Sequence, residues 1–332
     1  MATLVFEDAA GDWAEVNLVT DLWKRAPPRR FRLEAGRWTL ELGALPVDRL
    51  EYQLELVRRD GTREWAVMPG APTVDAPFGA KSVLELPAYR PPRWLASEAP
   101  VGVLEPLTLA SSGGAVQGQL WAAPGLARGA EAPLLVVHDG PEYARFAGLT
   151  RYLEGAVCER GLPPLRAALL APRSRDEEYS ASDAWADELA REVLPGLEAL
   201  APRGRHPRVG LGASLGGLAM LHARWRHPAL FDALGLQSGS FFSREHDAVE
   251  QGFARFERIE AFVRECAARP PARRLRVALS CGTGEENLAN NEAMAAVLAR
   301  HGDDVRLQRV RDGHTWTCWR DALDVVLPWL FR

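Results

Sequence analysis

The sequence predicts an α/β protein, a mostly parallel sheet flanked by helices, preceded by a smaller antiparallel β-sandwich. Three observations carry this. Residues from about 30 to 87 hold short strands separated by turns, a proline-rich joint ends that pattern, and beyond it apolar strands alternate with longer amphipathic segments. At 332 residues the chain is longer than one compact domain usually is. Two cores are expected, over residues 1–95 and 96–332.

The strands of the first part are read at Phe31–Glu34, Trp38–Leu42, Leu50–Val57 and Ser82–Leu86. In the third, Leu50, Tyr52, Leu54 and Leu56 alternate with Glu51, Gln53 and Glu55, which predicts one buried and one wet face. Asp60-Gly61 then supplies a hairpin turn before Glu64–Val67. The joint contains Pro87, Pro91 and Pro92, whose fixed φ and missing N–H stiffen it. Beyond it the strands are Leu134–His138, Ala167–Ala171, Arg208–Leu211, Ala233–Gln237, Leu275–Ser280 and Val305–Val310. Helices are expected over Asp183–Leu194, Leu218–Arg226 and Asn287–Arg300.

Composition narrows the function. Apolar residues make up 47% and charged residues 25%, with a formal net charge of −4, so the chain can bury a full core and carries no basic footprint for nucleic acid. Its N-terminus has no basic segment followed by an apolar one, and no apolar run is long enough to span a bilayer; a cytoplasmic location is expected. The four cysteines (Cys158, Cys266, Cys281, Cys318) form no CxxC pair and read as buried thiols. The seven histidines lack ligand spacing, so no metal and no cofactor are expected.

The strongest chemical signal is Gly212-Ala213-Ser214-Leu215-Gly216, a G-x-S-x-G sequence directly after a strand and before a helical stretch. There a serine sits on a tight turn, its hydroxyl projects from the sheet end, and the helix N-terminus favours a developing oxyanion. In the α/β-hydrolase order the acid and then the base follow the nucleophile. His314 fits the base, just past the last strand with Gly313 before it. The acid should follow Leu275–Ser280, where Glu285 is preferred because Gly282 and Gly284, free to take positive φ, let it turn inward. Glu286 competes, as do Asp303, Asp304, Asp312 or a dyad lacking an acid. One oxyanion donor is expected from the N–H of Leu215, the second from the loop after Leu134–His138. Pro141 has no N–H, which leaves Gly140 or Glu142.

At these residues the chain resembles the enterochelin esterase-like family of the esterase D group. The resemblance rests on Pro77–Trp94, Asp139-Gly140, Arg175–Tyr179, Gly212–Gly217 and the terminal Gly313-His314-x-Trp316-x-x-Trp319-Arg320. It implies an immunoglobulin-like first domain and ester hydrolysis through an acyl-serine intermediate, on a siderophore or another hydroxy-acid ester. Asp139, Glu142, Tyr143, Arg175 and Trp316 are the candidates for the substrate pocket. Pro141 departs from relatives that keep an N–H after Asp-Gly, which leaves the shape of that loop open. An anionic substrate would need convergent arginines, for which Arg173, Arg175 and Arg320 are candidates beside the plainer reading of solvated surface charge.

Two other functions fit the same residues. An acyltransferase would resolve the acyl-enzyme with an alcohol instead of water. A binding protein would use the sandwich for glycan recognition, with Trp38 and Trp65 as stacking candidates, although both read first as core. The sandwich carries no catalytic set, so it is expected to wall the pocket or to support a homodimer.

Overall fold

The computed structural model describes residues 2–22 and 26–332. The chain divides into two compact units: Met1–Arg90 with Gly282–Glu286 and Val310–Cys318, and Pro91–Cys281 with Asn287–Arg309 and Trp319–Arg332. The chain leaves the first unit inside the proline-rich joint. Two short segments from the far end of the sequence belong with that first unit, and both carry candidate site residues.

The first unit contains β1 (Thr3–Glu7), β2 (Trp13–Thr20), β3 (Arg32–Glu34), β4 (Arg37–Glu41), β5 (Arg49–Arg58), β6 (Arg63–Ala66), β7 (Thr73–Val74) and β8 (Lys81–Glu85). A sheet ordered β1-β4-β3 and a second ordered β2-β5-β8-β7, with β6 also on β5, are antiparallel throughout. Leu4, Phe6, Val16, Leu18, Trp38, Leu40, Leu54 and Leu56 from the two sheets share one apolar core, as in a β-sandwich. The β5–β6 turn forms at Asp60-Gly61, with Gly61 at φ 85°.

The wet face expected on β5 is absent. Glu51 and Glu55 are each 5% exposed, because side chains from neighbouring segments reach over that face to bond them. Their charges are met internally. Glu55 accepts from Asn17 (3.1 Å), Arg29 (2.8 Å) and Arg63 (2.7 Å), and Glu51 from Arg49 (2.5 Å) and the Thr317 hydroxyl (2.8 Å). Period-2 alternation marked the two faces correctly but not their exposure. Of the two tryptophans, Trp38 is buried, whereas Trp65 is 57% exposed.

The second unit is built on an eight-stranded sheet. Its strands are β9 (Val103–Leu109), β10 (Val116–Ala122), β11 (Leu134–His138), β12 (Arg166–Leu170), β13 (Arg208–Ala213), β14 (Ala233–Gln237), β15 (Arg276–Gly282) and β16 (Asp304–Val310), in the order β16-β15-β14-β13-β11-β12-β10-β9. The pairs from β12 through β11, β13 and β14 to β15 are parallel. Strands β9 and β10, absent from the sequence reading, add antiparallel pairs at one edge. The helices are α1 (Gly140–Phe146), α2 (Leu149–Glu159), α3 (Arg175–Glu178), α4 (Asp183–Glu188), α5 (Leu194–Leu200), α6 (Leu215–Arg226), α7 (Phe256–Ala268), α8 (Leu288–Arg300) and α9 (Trp316–Leu330). A π-turn over Leu189–Val193 joins α4 to α5, so Asp183–Leu200 runs as one irregular helix. Fully buried β11, β12, β13 and β14 explain why these strands read as apolar runs.

Among the described residues no helix is long and apolar enough to cross a membrane. Cys266, Cys281 and Cys318 are buried as expected; Cys158 is exposed.

Candidate active site

Ser214 stands alone between β13 and α6 at φ 53°, ψ −125°, a conformation that costs a side-chain-bearing residue of the order of 1–3 kcal/mol. The turn closes because its neighbours are small: a Cβ on Gly212 would lie 2.4 Å from the Gly216 carbonyl carbon. Backbone bonds lock it. The Ser214 N–H donates to Gln237 O at the end of β14 (2.9 Å), and Ser214 O accepts from Gly217 and Leu218 (3.1 Å each). The N–H groups of Leu215 and Gly216 precede the helical ladder and point out of the N-terminus of α6.

The second loop is held beside this turn. Asp139 caps α1 in the left-handed region (φ 50°, ψ 40°), and Pro141 falls in the first turn, where a missing N–H costs nothing. Pro141 therefore fits the loop it had put in question. Gly140 is demanded by space: a Cβ there would lie 2.2 Å from Leu169 Cα. A Cβ on Gly216 would touch Asp139 Oδ2 and His138 Cβ at 3.2 Å, so the start of α6 and the end of β11 lie against each other. Asp139 is itself fixed by Arg175, whose Nε and Nη2 reach its carboxylate at 2.8–3.1 Å. Tyr143, fully buried, donates to Gln237 Oε1 at 2.8 Å. Glu142 is half-buried.

His138 joins the two loops. The Trp185 indole can only donate, so its Nε1, 3.3 Å from His138 Nε2, leaves that nitrogen without a proton. Nδ1 then carries the hydrogen and donates to Gly216 O at 3.1 Å. Burial pushes this histidine down to about 4, against the Gly216 hydrogen bond and with the nearby Arg175 charge. The ring stacks on Tyr179 with centroids 4.3 Å apart.

The candidate acid and base lie in the first unit, in the two segments contributed by the far end of the chain. His314 Nδ1 is 2.8 Å from Glu285 Oε2, and Glu285 is fully buried. The other Glu285 oxygen accepts the Gly282 N–H at 2.7 Å. The segments are stitched by Thr283 N to Val310 O (2.7 Å) and Gly284 N to Asp312 O (3.0 Å), and anchored by the Thr283 hydroxyl on Pro46 O (2.7 Å) and Asp48 N on Arg311 O (2.7 Å).

Their glycines are needed for a different reason from the one expected. Gly282, Gly284 and Gly313 are not left-handed; a Cβ on Gly282 would lie 2.5 Å from Asp312 O, and one on Gly284 2.6 Å from Leu22 Cδ2. Burial lowers the affinity of His314 for a proton, but the charge and hydrogen bond of Glu285, with Glu286 and Asp21, outweigh it and hold the imidazole above its ordinary range.

The rival acids have other work or other surroundings. Asp303 is buried in a bidentate pair with Arg224 (2.6 and 2.8 Å), Asp304 is exposed, and the Asp312 carboxylate accepts from Gly313 N (2.7 Å). All three arginines of the expected clamp already hold acidic partners: Arg173 pairs with Glu178 (2.6 Å) and Glu188 (2.7 Å), Arg175 with Asp139 (2.8 Å) and Arg320 with Asp321 (2.7 Å). Trp316 opens α9 and is half-buried. No group of three or more His, Cys, Asp or Glu among the described residues is placed to hold a metal. Sequence reading missed His138, Gln237 and Ser240. Each stands at or just past the C-terminal end of a parallel strand, the edge where sheets of this kind place their sites, and that position was the available signal.

Solved structures share this architecture. A ferric enterobactin esterase from Salmonella typhimurium aligns with a TM-score of 0.79 over 97% of this chain and 91% of its own, at 23% identity. An enterochelin esterase from Shigella flexneri aligns with 0.78 over 99% and 92%, at 22%. A ferulic acid esterase aligns with 0.58 over 70% and 99%, at 15%. At such identities the likeness shows the fold, which is of the α/β-hydrolase type. An iron(III) enterobactin esterase of Dickeya dadantii (strain 3937) is 29% identical over 210 residues, 60% of this chain but 48% of that protein, so the match spans about half the relative's length. The enterochelin esterase-like resemblance carried by the sequence motifs holds in these comparisons. Residues 121–330, well over half the chain, match the model of the Esterase family, and the chain belongs to that family.

Proposed function

We propose that this protein is a serine-dependent carboxylic ester hydrolase in which Ser214 attacks the ester carbonyl, His314 is the general base and Glu285 orients it. The observation that carries the reading is the strained Ser214 turn, facing the first N–H groups of α6 and lying beside the Asp139-Gly140 loop. A carboxylate only accepts hydrogen bonds, so Glu285 fixes the proton of His314 on Nδ1 and leaves Nε2 to take the serine proton. The N–H groups of Leu215 and Gly140 would hold the oxyanion. Collapse expels the alcohol, protonated by His314, and water activated by the same imidazole releases the acid.

For the substrate we favour a siderophore or other hydroxy-acid ester, supported by the names of the relatives above. In the same reading the sandwich is immunoglobulin-like, the domains divide at residues 95 and 96, and the protein acts in the cytoplasm, with a homodimer as its candidate assembly. A fluorophosphonate probe tests the core of the proposal: it should label the protein once, and Ser214→Ala should abolish labelling. Undiminished labelling of the variant refutes the nucleophile. Rates on p-nitrophenyl esters of graded length, a catecholate siderophore and a feruloyl ester then identify the acyl class, and turnover confined to an added alcohol acceptor would mark an acyltransferase instead.

A further inference from the structure

The hydroxyl of Ser240 lies 3.1 Å from that of Ser214, and nothing in the triad mechanism uses it. It is not there by looseness of the loop. After β14 the chain turns through Ser238, itself left-handed at φ 47°, and each of the next residues is gripped. The Trp319 indole donates to Ser238 Oγ (2.9 Å), Asn287 Nδ2 to Ser238 O (3.2 Å), and Asn291 holds Gly239 at both ends, accepting its N–H (3.0 Å) and donating to its carbonyl (2.8 Å). Ser240 N then donates to Ser214 O at 3.2 Å. The loop is as fixed as the nucleophile turn it faces.

Burial sets the direction of the bond. Ser240 is 1% exposed, whereas Ser214 is half-buried. A buried hydroxyl needs an acceptor for its hydrogen, and among the described residues the side-chain partner of Ser240 is Ser214 Oγ. With its lone pair taken by that donor, Ser214 keeps its own hydrogen for the base.

We propose that Ser240 is a positioning residue for the nucleophile, donating to Ser214 Oγ so that the serine proton points away from the loop. The same donor gains strength when Oγ carries charge, on attack and again when Oγ leaves in deacylation. This rests on Ser214 being the nucleophile.

The test uses the full-length protein, a fluorophosphonate probe and p-nitrophenyl acetate. Ser240→Ala should slow labelling and lower kcat by about three- to tenfold, the worth of one hydrogen bond, with KM and melting temperature near those of the parent. Ser240→Thr, which keeps the hydroxyl, should recover most of the loss. Should the alanine variant not fold, Ser240→Cys, similar in size and a weak donor, takes its place in the comparison. An alanine or cysteine variant that labels at the parental rate overturns the proposal, and so does a threonine variant no faster than either. Labelling that survives Ser214→Ala is a different failure, that of the nucleophile itself.

Discussion

His138 ends β11 and His314 follows β16, and burial weakens the hold of both on a proton, yet their net shifts run in opposite directions. Around His138 are Tyr179, Trp185 and the Gly216 carbonyl, and the single Gly216 hydrogen bond does not repay the desolvation of a charge, so the ring stays neutral. Around His314 the fully buried Glu285 accepts from Nδ1, with Glu286 and Asp21 adding negative charge. Burial alone does not make a general base. A carboxylate partner restores the hold on a proton that the proposed base needs, while the same ring without one becomes a neutral strut.

The sharpest way to break this comparison is to remove the carboxylate. Glu285→Gln should lower kcat by up to about 10⁴-fold with little change in KM, as loss of the orienting acid does in other triads. Steady-state kinetics on one good ester decide it, and near-parental turnover would mean the site draws its acid from elsewhere. Next in size is the effect on stability of acidification. His138 is held down at about 4 against about 6.5 unfolded, so its contribution is present above pH 6.5 and lost as pH falls toward 4, on the order of 3 kcal/mol. Urea midpoints between pH 7 and pH 4.5 should fall less for His138→Gln, which cannot titrate but keeps an acceptor and a donor.

His314 runs the other way. Its raised folded value makes the stability contributed by the Glu285 pair fullest below about pH 6.5, to be lost as pH rises through that folded value. A base must be neutral, so kcat/KM should rise with pH through an apparent pKa above 6.5. Any residual activity of Glu285→Gln should rise at lower pH; an unshifted limb would assign it to another group. The smallest effect is expected from Glu286→Gln, a carboxylate just ahead of α8, whose loss should cost about 0.3–1 kcal/mol in thermal unfolding and leave kcat near parental. A dead Glu286→Gln beside an active Glu285→Gln would exchange their roles.

Much of this was legible. The apolar runs of β11 through β15 were read within a residue or two, because strands buried on both faces leave an unbroken signal. The G-x-S-x-G turn was legible because its glycines and its place between strand and helix are local requirements. The candidate residues Ser214, Glu285 and His314 were singled out for the same reason, each following a strand that could be read.

What depended on distant neighbours was not legible. The alternation along β5 gave the two faces, but covering of the second face, and the ion pairs it obliges, come from residues as far along the chain as Thr317. Gly282 and Gly284 announced a turn, while the reason for them is the approach of Asp312 and Leu22. Arg173 looked available until Glu178 and Glu188 closed on it.

The sequence by itself determined the α/β architecture, the strained serine turn and the order of the candidate triad, since these follow from periodicity, from glycine and proline stereochemistry and from connectivity. Only the tertiary structure decided which carboxylate meets His314, which histidine stays neutral and which hydroxyl stands against Ser214. Those outcomes turn on contacts of about 3 Å between residues 26 to 78 positions apart, and the energy of a buried charge or hydrogen bond depends on those partners far more than on its neighbours in sequence.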